Sequence, residues 1–379
     1  MAKEDDKKVH FLLEAPKADN EITEQFGINH FKTLVKRTPI MFPADLGESH
    51  PFDMSITEGL YLKFGFVNAI VEKITEYVWG SGIFVESENP NAQAIIEQWM
   101  QDVQFPSLGK KWTREGLVKG NGYFELGGSI NEGINGIKIP DAKFIYVKRD
   151  IEDNILNYKQ LIKTFPKDRN MQKQPLINNE DFVELNPENI VHLKINTIGD
   201  GAYGYGIIYP NLDAINGLLG ARKDMHMLLS RKANSPYVIT MGQIGATPER
   251  DIYPTAGDIT SMGQKLEYLH NKHEWTVGPD IKISALEFGN ISDKFKFPLE
   301  NDIDMLFFGF QAPETLMGTA APTGLGSNLA SEHGSSFERH IQSIQEEIEK
   351  LIEEKIFRRI LISHGFDDHV EIIWGEPNE

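Results

Sequence analysis

Hydrophobic residues recur at helical spacing on both sides of a short apolar run near the middle of the chain. The first stretch predicts a helix over Tyr209–Ala233, and the second predicts a helix over Asp258–Trp275. Between them, Tyr237–Met241 has the composition of a β-strand and is bounded by Pro236 and Gly242. The pattern therefore predicts a helical hairpin with a small insert at its tip. Such a hairpin needs neighbours to bury its apolar faces, which favours an oligomer built around it.

The flanking sequence predicts a mixture of helices and short strands, and hence the α+β fold class. Residues 1–55 are irregular, and loops are predicted over Phe165–Glu184 and Gln311–Asn328. Further helices are predicted over Tyr61–Trp79, Asn91–Val103, Trp112–Lys119, Leu299–Phe310 and Phe337–Ile362. Strands are predicted over Ile83–Val85, Tyr123–Leu126, Ile137–Ile139, Phe144–Val147, Tyr158–Ile162, Ile190–Ile195, Ile281–Phe288 and His369–Trp374. A chain of 379 residues has room for two or three subdomains.

Composition and charge narrow the classes of function. Cysteine is absent, so neither a disulfide scaffold nor a thiolate site is expected. No long apolar run is present, so we expect neither a secretory signal nor a membrane span. A formal charge of −18 argues against a surface that binds nucleic acid by neutralising its phosphates, but it does not exclude a protein that lets DNA pass without binding it. Residues 209–275 carry seven acidic and seven basic side chains, so the excess negative charge lies elsewhere.

One glycine-rich segment resembles a nucleotide-binding loop. Gly199–Gly204 fits G-x-G-x-x-G and follows the predicted strand Ile190–Ile195. However, Pro210 would break the helix that a dinucleotide site requires at this point, and Asp224 lies within a helix instead of after a second strand. A flexible turn is therefore favoured. A nucleotide-dependent soluble enzyme that uses Gly199–Gly206 is kept as an alternative.

No other candidate chemistry outweighs an ordinary structural role. His270 and His273 are spaced for metal binding on a helix, but the zinc-protease order His-Glu-x-x-His is absent. Two solvated histidines are favoured over a metal site. We therefore expect no enzyme activity, no catalytic residue, no cofactor and no metal.

Five short motifs occur in an order that resembles one protein family. They are Gly120–Phe124, Asn186–Leu193, Gly204–Pro210, Asp302–Gly318 and Gly324–Asn328 with the helix that follows it. In this order they are similar to the portal, or head–tail connector, proteins of tailed bacteriophages and related archaeal viruses. The resemblance covers roughly residues 60–375.

The resemblance implies a non-enzymatic ring, normally of twelve subunits, at one vertex of a capsid. DNA would enter and leave through its axial channel, driven by a separate terminase. The implied partners are copies of the same chain, the terminase large subunit, a head–tail adaptor, the major capsid protein and, transiently, double-stranded DNA. The implied location is the virion, and the host cytoplasm during assembly. Another virion adaptor or minor capsid protein remains an alternative.

The resemblance also implies a division of the chain. It runs 1–55 N-terminal arm, 56–208 wing, 209–233 first stem helix, 234–257 clip, 258–275 second stem helix, 276–336 tunnel loop and wing helix, and 337–379 C-terminal crown or wing helix and strand. The tunnel loop is expected in Thr276–Phe297, with Gln311–Asn328 as the alternative. Candidate stem or channel residues are Arg222, Lys223, Arg231, Lys232, Lys265 and Lys272, and candidate clip residues are Tyr237, Ile239, Met241 and Arg250.

Overall fold

The computed structural model describes residues 47–80, 82–129, 133–162, 181–233, 237–242, 253–267, 281–285, 292–314 and 326–375. They form two compact units. Unit 1 combines the chain up to Leu212 with the chain from Phe307 onward, and unit 2 comprises Asp213–Leu306. Unit 2 is therefore an insertion into the sequence of unit 1.

The helices of both units largely follow the predicted apolar stripes. They are α1 Met54–Lys63, α2 Gly65–Trp79, α3 Pro90–Asp102, α4 Phe105–Lys119, α5 Leu212–Ala233, α6 Ala256–Glu267, α7 Ser292–Gly309, α8 Gly326–Ile352 and α9 Arg358–Ser363. The single helix predicted over Tyr61–Trp79 is divided between α1 and α2, because the backbone is extended at Phe64. α4 begins seven residues earlier than predicted. Pro106 occupies its first turn, where a missing N–H costs no hydrogen bond.

The strands are short and pair only in antiparallel fashion within the described residues. They are β1 Ile83–Glu86, β2 Asn121–Gly127, β3 Gly136–Lys138, β4 Ile145–Arg149, β5 Ile155–Leu161, β6 Phe182–Leu185, β7 Ile190–Lys194, β8 Tyr237–Met241, β9 Ile281–Ala285 and β10 Glu371–Trp374. The sheet orders are β3-β2-β7, β4-β5-β6, β1-β10 and β8-β9. Three of the four residues of β6 lie within the segment Phe165–Glu184 that the sequence predicted as a loop.

The core of unit 1 is built on α2 and α4. Val67, Ile70, Val71, Ile74 and Val78 of α2 are buried, and Trp79 at its end donates a hydrogen bond from Nε1 to Thr113 Oγ1 of α4 at 2.9 Å. Gly109 of α4 lies directly against the Trp79 ring, where any Cβ would clash. The small residue therefore lets the two helices approach closely.

In unit 2, β8 and β9 pair from Tyr237 opposite Ala285 to Met241 opposite Ile281. The division predicted from the sequence placed β8 in the clip (234–257) and β9 in the tunnel loop and wing helix (276–336). In the structure the two strands pair with each other. In the chain, α6 lies between the two paired strands. It occupies part of the predicted second helix, and residues 268–280 lie outside the described part.

The C-terminal region of unit 1 is dominated by α8, which begins eleven residues before the predicted start at Phe337. A π-helical turn at Glu353–Phe357 connects α8 to α9. β10 then pairs with β1, so that the last described strand closes on one of the first elements. No helix in the described ranges is both long and apolar enough to cross a membrane.

Candidate assembly site

Three of the five motifs meet at one place, which we call the motif junction: Gly120–Tyr123, His192 and Gly204–Gly206. β2 and β7 place Tyr123 opposite His192. The Asn121 side chain joins all three motifs. Its Oδ1 accepts hydrogen bonds from the Gly204 N–H and from His192 Nε2, both at 3.0 Å, and its Nδ2 donates to the Gly204 carbonyl at 3.2 Å.

The hydrogen bonds around His192 define its tautomer. The Asn121 Oδ1 atom can only accept, so His192 Nε2 carries the proton and Nδ1 faces the Tyr158 hydroxyl at 3.5 Å. The imidazole stacks on Tyr123 with ring centroids 4.2 Å apart. Burial, reinforced by the charge of Lys194, lowers the pKa of His192 well below its usual value. This histidine is therefore neutral at physiological pH.

The glycines of the junction allow close backbone contact. Gly120 and Gly206 have φ of +82° and +68°, a region that favours glycine, and a Cβ at Gly204 would clash with the backbone of Gly120 and Ile195. The Tyr205 and Gly206 N–H groups both donate to the Ile195 carbonyl, at 2.9 and 3.0 Å. These amides are therefore engaged within the protein and cannot bind a phosphate.

This geometry opposes the nucleotide-binding alternative. β7 belongs to an antiparallel sheet, whereas a dinucleotide site needs parallel strands joined by a helix. α5 begins only at Leu212, after a short 3₁₀ turn at Tyr209–Asn211. The Gly199–Gly206 segment thus packs between the β3-β2-β7 sheet and α4 and connects β7 to α5.

The start of α5 and the end of α7 meet within unit 1. Asn211 donates from Nδ2 to the Ile207 carbonyl at 2.8 Å, and its Oδ1 lies against Gly309. A Cβ at Gly309 would clash with Asn211. α7 is therefore the helix whose end returns to the beginning of α5.

The structure places some, but not all, of the predicted site residues. Arg222 lies exposed on α5 and Lys223 is half-buried beside it. Arg231 and Lys232 fall on α5 and Lys265 on α6, but their side chains are not among those described, and Lys272 and Arg250 lie outside the described residues. The other clip candidates, Tyr237, Ile239 and Met241, all lie on β8 and pair with β9.

Two groups of residues were missed by the sequence pattern. The first is a set of exposed apolar side chains on unit 2, made up of Met227, Leu229, Ile259, Phe297 and Met305. The sequence predicted that the apolar faces of the hairpin helices need neighbours, but it did not identify which positions stay exposed in the single chain. Leu229 and Ile259 lie on the predicted apolar stripes, whereas Met227 lies off the stripe of α5, so only its exposure could have been inferred from the spacing.

The second missed group is a buried ion cluster around Lys119 at the end of α4. Lys119 Nζ lies 2.7 Å from Glu115, 2.9 Å from Asp141 and 3.6 Å from Glu58. Burial alone would lower the pKa of Lys119, but the adjacent carboxylates outweigh it and raise the pKa. The cluster ties α1 to α4 and to the turn that precedes β4. No group of His, Asp or Glu in the described part of the chain could hold a metal ion, and His270 and His273 lie outside it.

No protein-family model matches the sequence, and no curated protein matches it. Solved structures do share its fold. One is a chain from the neck of a native gene transfer agent (GTA) particle computed with C12 symmetry. The match covers 93% of this chain and 90% of that chain, with a TM-score of 0.59 and 13% identity. The chain has the fold of a particle-neck protein.

Two further solved structures share this fold. A chain from the neck of an empty GTA particle computed with C6 symmetry matches 85% of this chain and 84% of its own, with a TM-score of 0.61 and 13% identity. A third chain comes from the virion of a native gene transfer agent particle. The match covers 91% of this chain and 88% of that chain, with a TM-score of 0.59 and 12% identity. At the level of the fold, these matches confirm the resemblance to head–tail connector proteins and the mixed α+β architecture.

Proposed function

We propose that this protein is a portal: a non-enzymatic ring at one capsid vertex that passes double-stranded DNA during packaging and ejection. The main support is the fold match with a chain from a particle neck, which covers 93% of this chain and 90% of that chain. The C12 symmetry of that neck supports a ring of twelve copies. The proposed setting is the virion, with assembly in the host cytoplasm.

Self-association is supported by the surface of unit 2. Five large apolar side chains on α5, α6 and α7 stay exposed in the single chain. Stable interfaces bury about 1,200–2,000 Å² in total, and burying such side chains supplies much of their driving force. Copies of the same chain would cover these faces when the ring closes.

The charge of the chain supports a channel that does not retain DNA. A ring of twelve copies would carry a formal charge of −216, twelve times −18. Non-specific DNA binding depends on lysine and arginine neutralising phosphates. We propose that Arg222 and Lys223 of α5, together with the other four basic candidates, give only weak contacts, so that the duplex slides.

The strand pairing supports a revised division of the stem and clip. We propose that the clip extends from β8 through α6 to β9, and that α7 is the second stem helix. The support is the β8–β9 ladder and the return of α7 to Asn211 at the start of α5. The tunnel loop would then follow α7, within the Gln311–Asn328 alternative. The clip, including Tyr237, Ile239 and Met241, would dock the terminase large subunit and later the head–tail adaptor, while unit 1 would contact the major capsid protein.

The proposal is tested by purifying the full chain and recording negative-stain images together with native mass spectra over a range of protein and salt concentrations. We expect rings with a central pore and a mass of about twelve chains. Monomers alone under every condition, including co-expression with the capsid protein, would contradict it.

The two alternatives give different results in the same preparation. An adaptor or minor capsid protein would bind to particles without forming a pored ring of its own. A nucleotide-dependent enzyme would release heat with ATP, NAD or NADP in a calorimeter, and we expect none with any of the three because the junction amides are already bonded.

A further inference from the structure

The β1–β10 sheet of unit 1 has a largely exposed outward face, beside which His369 Nε2 lies 3.9 Å from Glu371 Oε1. Phe84 stands opposite Ile373, and Glu86 stands opposite Glu371. Side chains two residues apart on a strand share a face, so the apolar pair and the acidic pair form one patch. Phe84 is 62% exposed and Ile373 is 43% exposed. We call these four residues the sheet face.

Exposing the sheet face to water has a free-energy cost from two sources. Like charges directly opposite each other destabilise an antiparallel pair, and water must hydrate the two apolar side chains beside them. A partner that brings an apolar side chain next to a positive charge would relieve both costs. The sheet face therefore favours a partner that presents an apolar side chain next to a basic one.

The same chain offers this combination at the end of α1. Leu62 is 69% exposed, and Lys63 beside it is exposed and makes no ion pair within the part of the chain that the structure describes. We call these two residues the corner. The extended backbone at Phe64 ends α1 directly after them, so the corner projects from the end of a helix.

The corner and the sheet face are held at opposite ends of α2. Asn68 in the first turns of α2 donates to the Tyr61 carbonyl, next to the corner, whereas Trp374 of β10 packs on Trp79 at the other end, with ring centroids 5.4 Å apart. Fifteen helical residues between them span about 22 Å. A contact between the two patches must therefore join different copies.

We propose that the corner of one copy docks on the sheet face of the next copy, with Leu62 against Phe84 and Ile373 and with Lys63 between the two glutamates. Two different patches in contact form a head-to-tail interface, and such interfaces generate rings when the rotation closes. This inference rests on the proposed self-assembly and adds a specific contact to it. Six side chains bury far less than a stable interface needs, so the contact orients neighbours and unit 2 supplies most of the area.

A charge exchange tests the ion pairs. We expect Lys63→Glu and Glu371→Lys each to raise the protein concentration at half assembly roughly tenfold in sedimentation velocity, because like charges then meet across the interface. The double variant should return to within about threefold of the original protein. Lys111→Glu, the same change on an exposed lysine of α4, should have no effect. Single variants that assemble normally, or a double variant as defective as the singles, would overturn the proposal.

A cross-link tests the apolar contact even if assembly is weak. The chain has no cysteine, so every disulfide formed by introduced cysteines is unambiguous. Under oxidation, the double variant Leu62→Cys with Ile373→Cys should give a ladder of dimers, trimers and larger species, because disulfide formation requires Cα atoms within about 7 Å. Each single variant should give dimers at most.

The outcomes separate this contact from the proposed function. Pored rings without a ladder would overturn the contact and leave the portal proposal standing. A ladder would support the contact whether or not rings close. Monomers with neither rings nor a ladder would overturn both.

Discussion

At the scale of single residues, Asn121 connects the three motifs of the junction. It bonds both backbone groups of Gly204, and its neighbours are buried. We predict that Asn121→Ala lowers the free energy of unfolding by about 3 kcal/mol, because it leaves several buried polar groups unpaired. Urea denaturation measures the loss. Asn91→Ala, an exposed position on α3, serves as the control, and a loss below about 1 kcal/mol for Asn121→Ala would contradict the assigned role.

Two helical glycines give opposite predictions for the same substitution. Gly309→Ala should destabilise the protein by about 1–3 kcal/mol, because the new methyl group meets Asn211. Gly220→Ala on α5 has open space and should stabilise the helix by up to about 1 kcal/mol. Thermal unfolding of both variants checks the pair. Equal shifts in Tm would show that Asn211 and Gly309 are not in close contact.

At the scale of elements, local periodicity determined what the sequence could predict. α2, α3 and β8 were placed within a few residues, because one face of each is continuously apolar or the strand is bounded by clear turn residues. β6 was missed because two of its four side chains are exposed, so the segment reads as polar. The first turns of α8 were missed because residues 326–336 are mostly small or polar and carry no apolar stripe.

Non-local contacts explain the other differences. The pairing of β8 with β9 joins segments about 40 residues apart, and no local pattern indicates which strands will meet. The motif junction shows the same limit. Its glycines, Asn121 and His192 were visible as motifs, but their hydrogen bonds to one another were not. Which basic residues of α5 and α6 face a channel depends on neighbouring copies and not on the pattern within one chain.

The C-terminal strand gives an element-level prediction. Trp374 packs on Trp79 and donates a hydrogen bond to Glu349 at 3.3 Å. We predict that Trp374→Ala lowers the free energy of unfolding by about 2–3 kcal/mol through lost packing. The neighbouring Ile373→Ala should change stability by less than about 1 kcal/mol but should weaken assembly. Chemical denaturation and sedimentation of the two variants separate these effects.

At the scale of the whole molecule, the buried His192 and the half-buried His50 and His340 link stability to pH. Burial lowers the pKa of His50, His192 and His340. Since each of these histidines binds more protons in the unfolded chain than in the folded chain below about pH 6.5, their contribution to stability should fall as the pH drops from 7 toward 5. Each histidine changes the free energy of unfolding by at most about 1.4 kcal/mol per pH unit.

Urea denaturation at several pH values measures this slope. His340→Gln should flatten it, because the Nε2 atom of His340 on α8 is buried and has no hydrogen-bond partner within the described part of the chain. An unchanged slope in this variant would show that His340 takes up no extra proton on unfolding.

The β1–β10 sheet also constrains when the chain can fold. Ser87 donates a hydrogen bond to the carbonyl of His369, 282 positions further along, so the sheet can close only after the chain has been synthesised through β10. Until then the sheet face does not exist, and a growing chain cannot recruit a neighbour through it. Contacts of such long range also slow folding. The order of translation thus delays joining through the sheet face until β10 has been made, and a copy truncated before β10 would lack this contact.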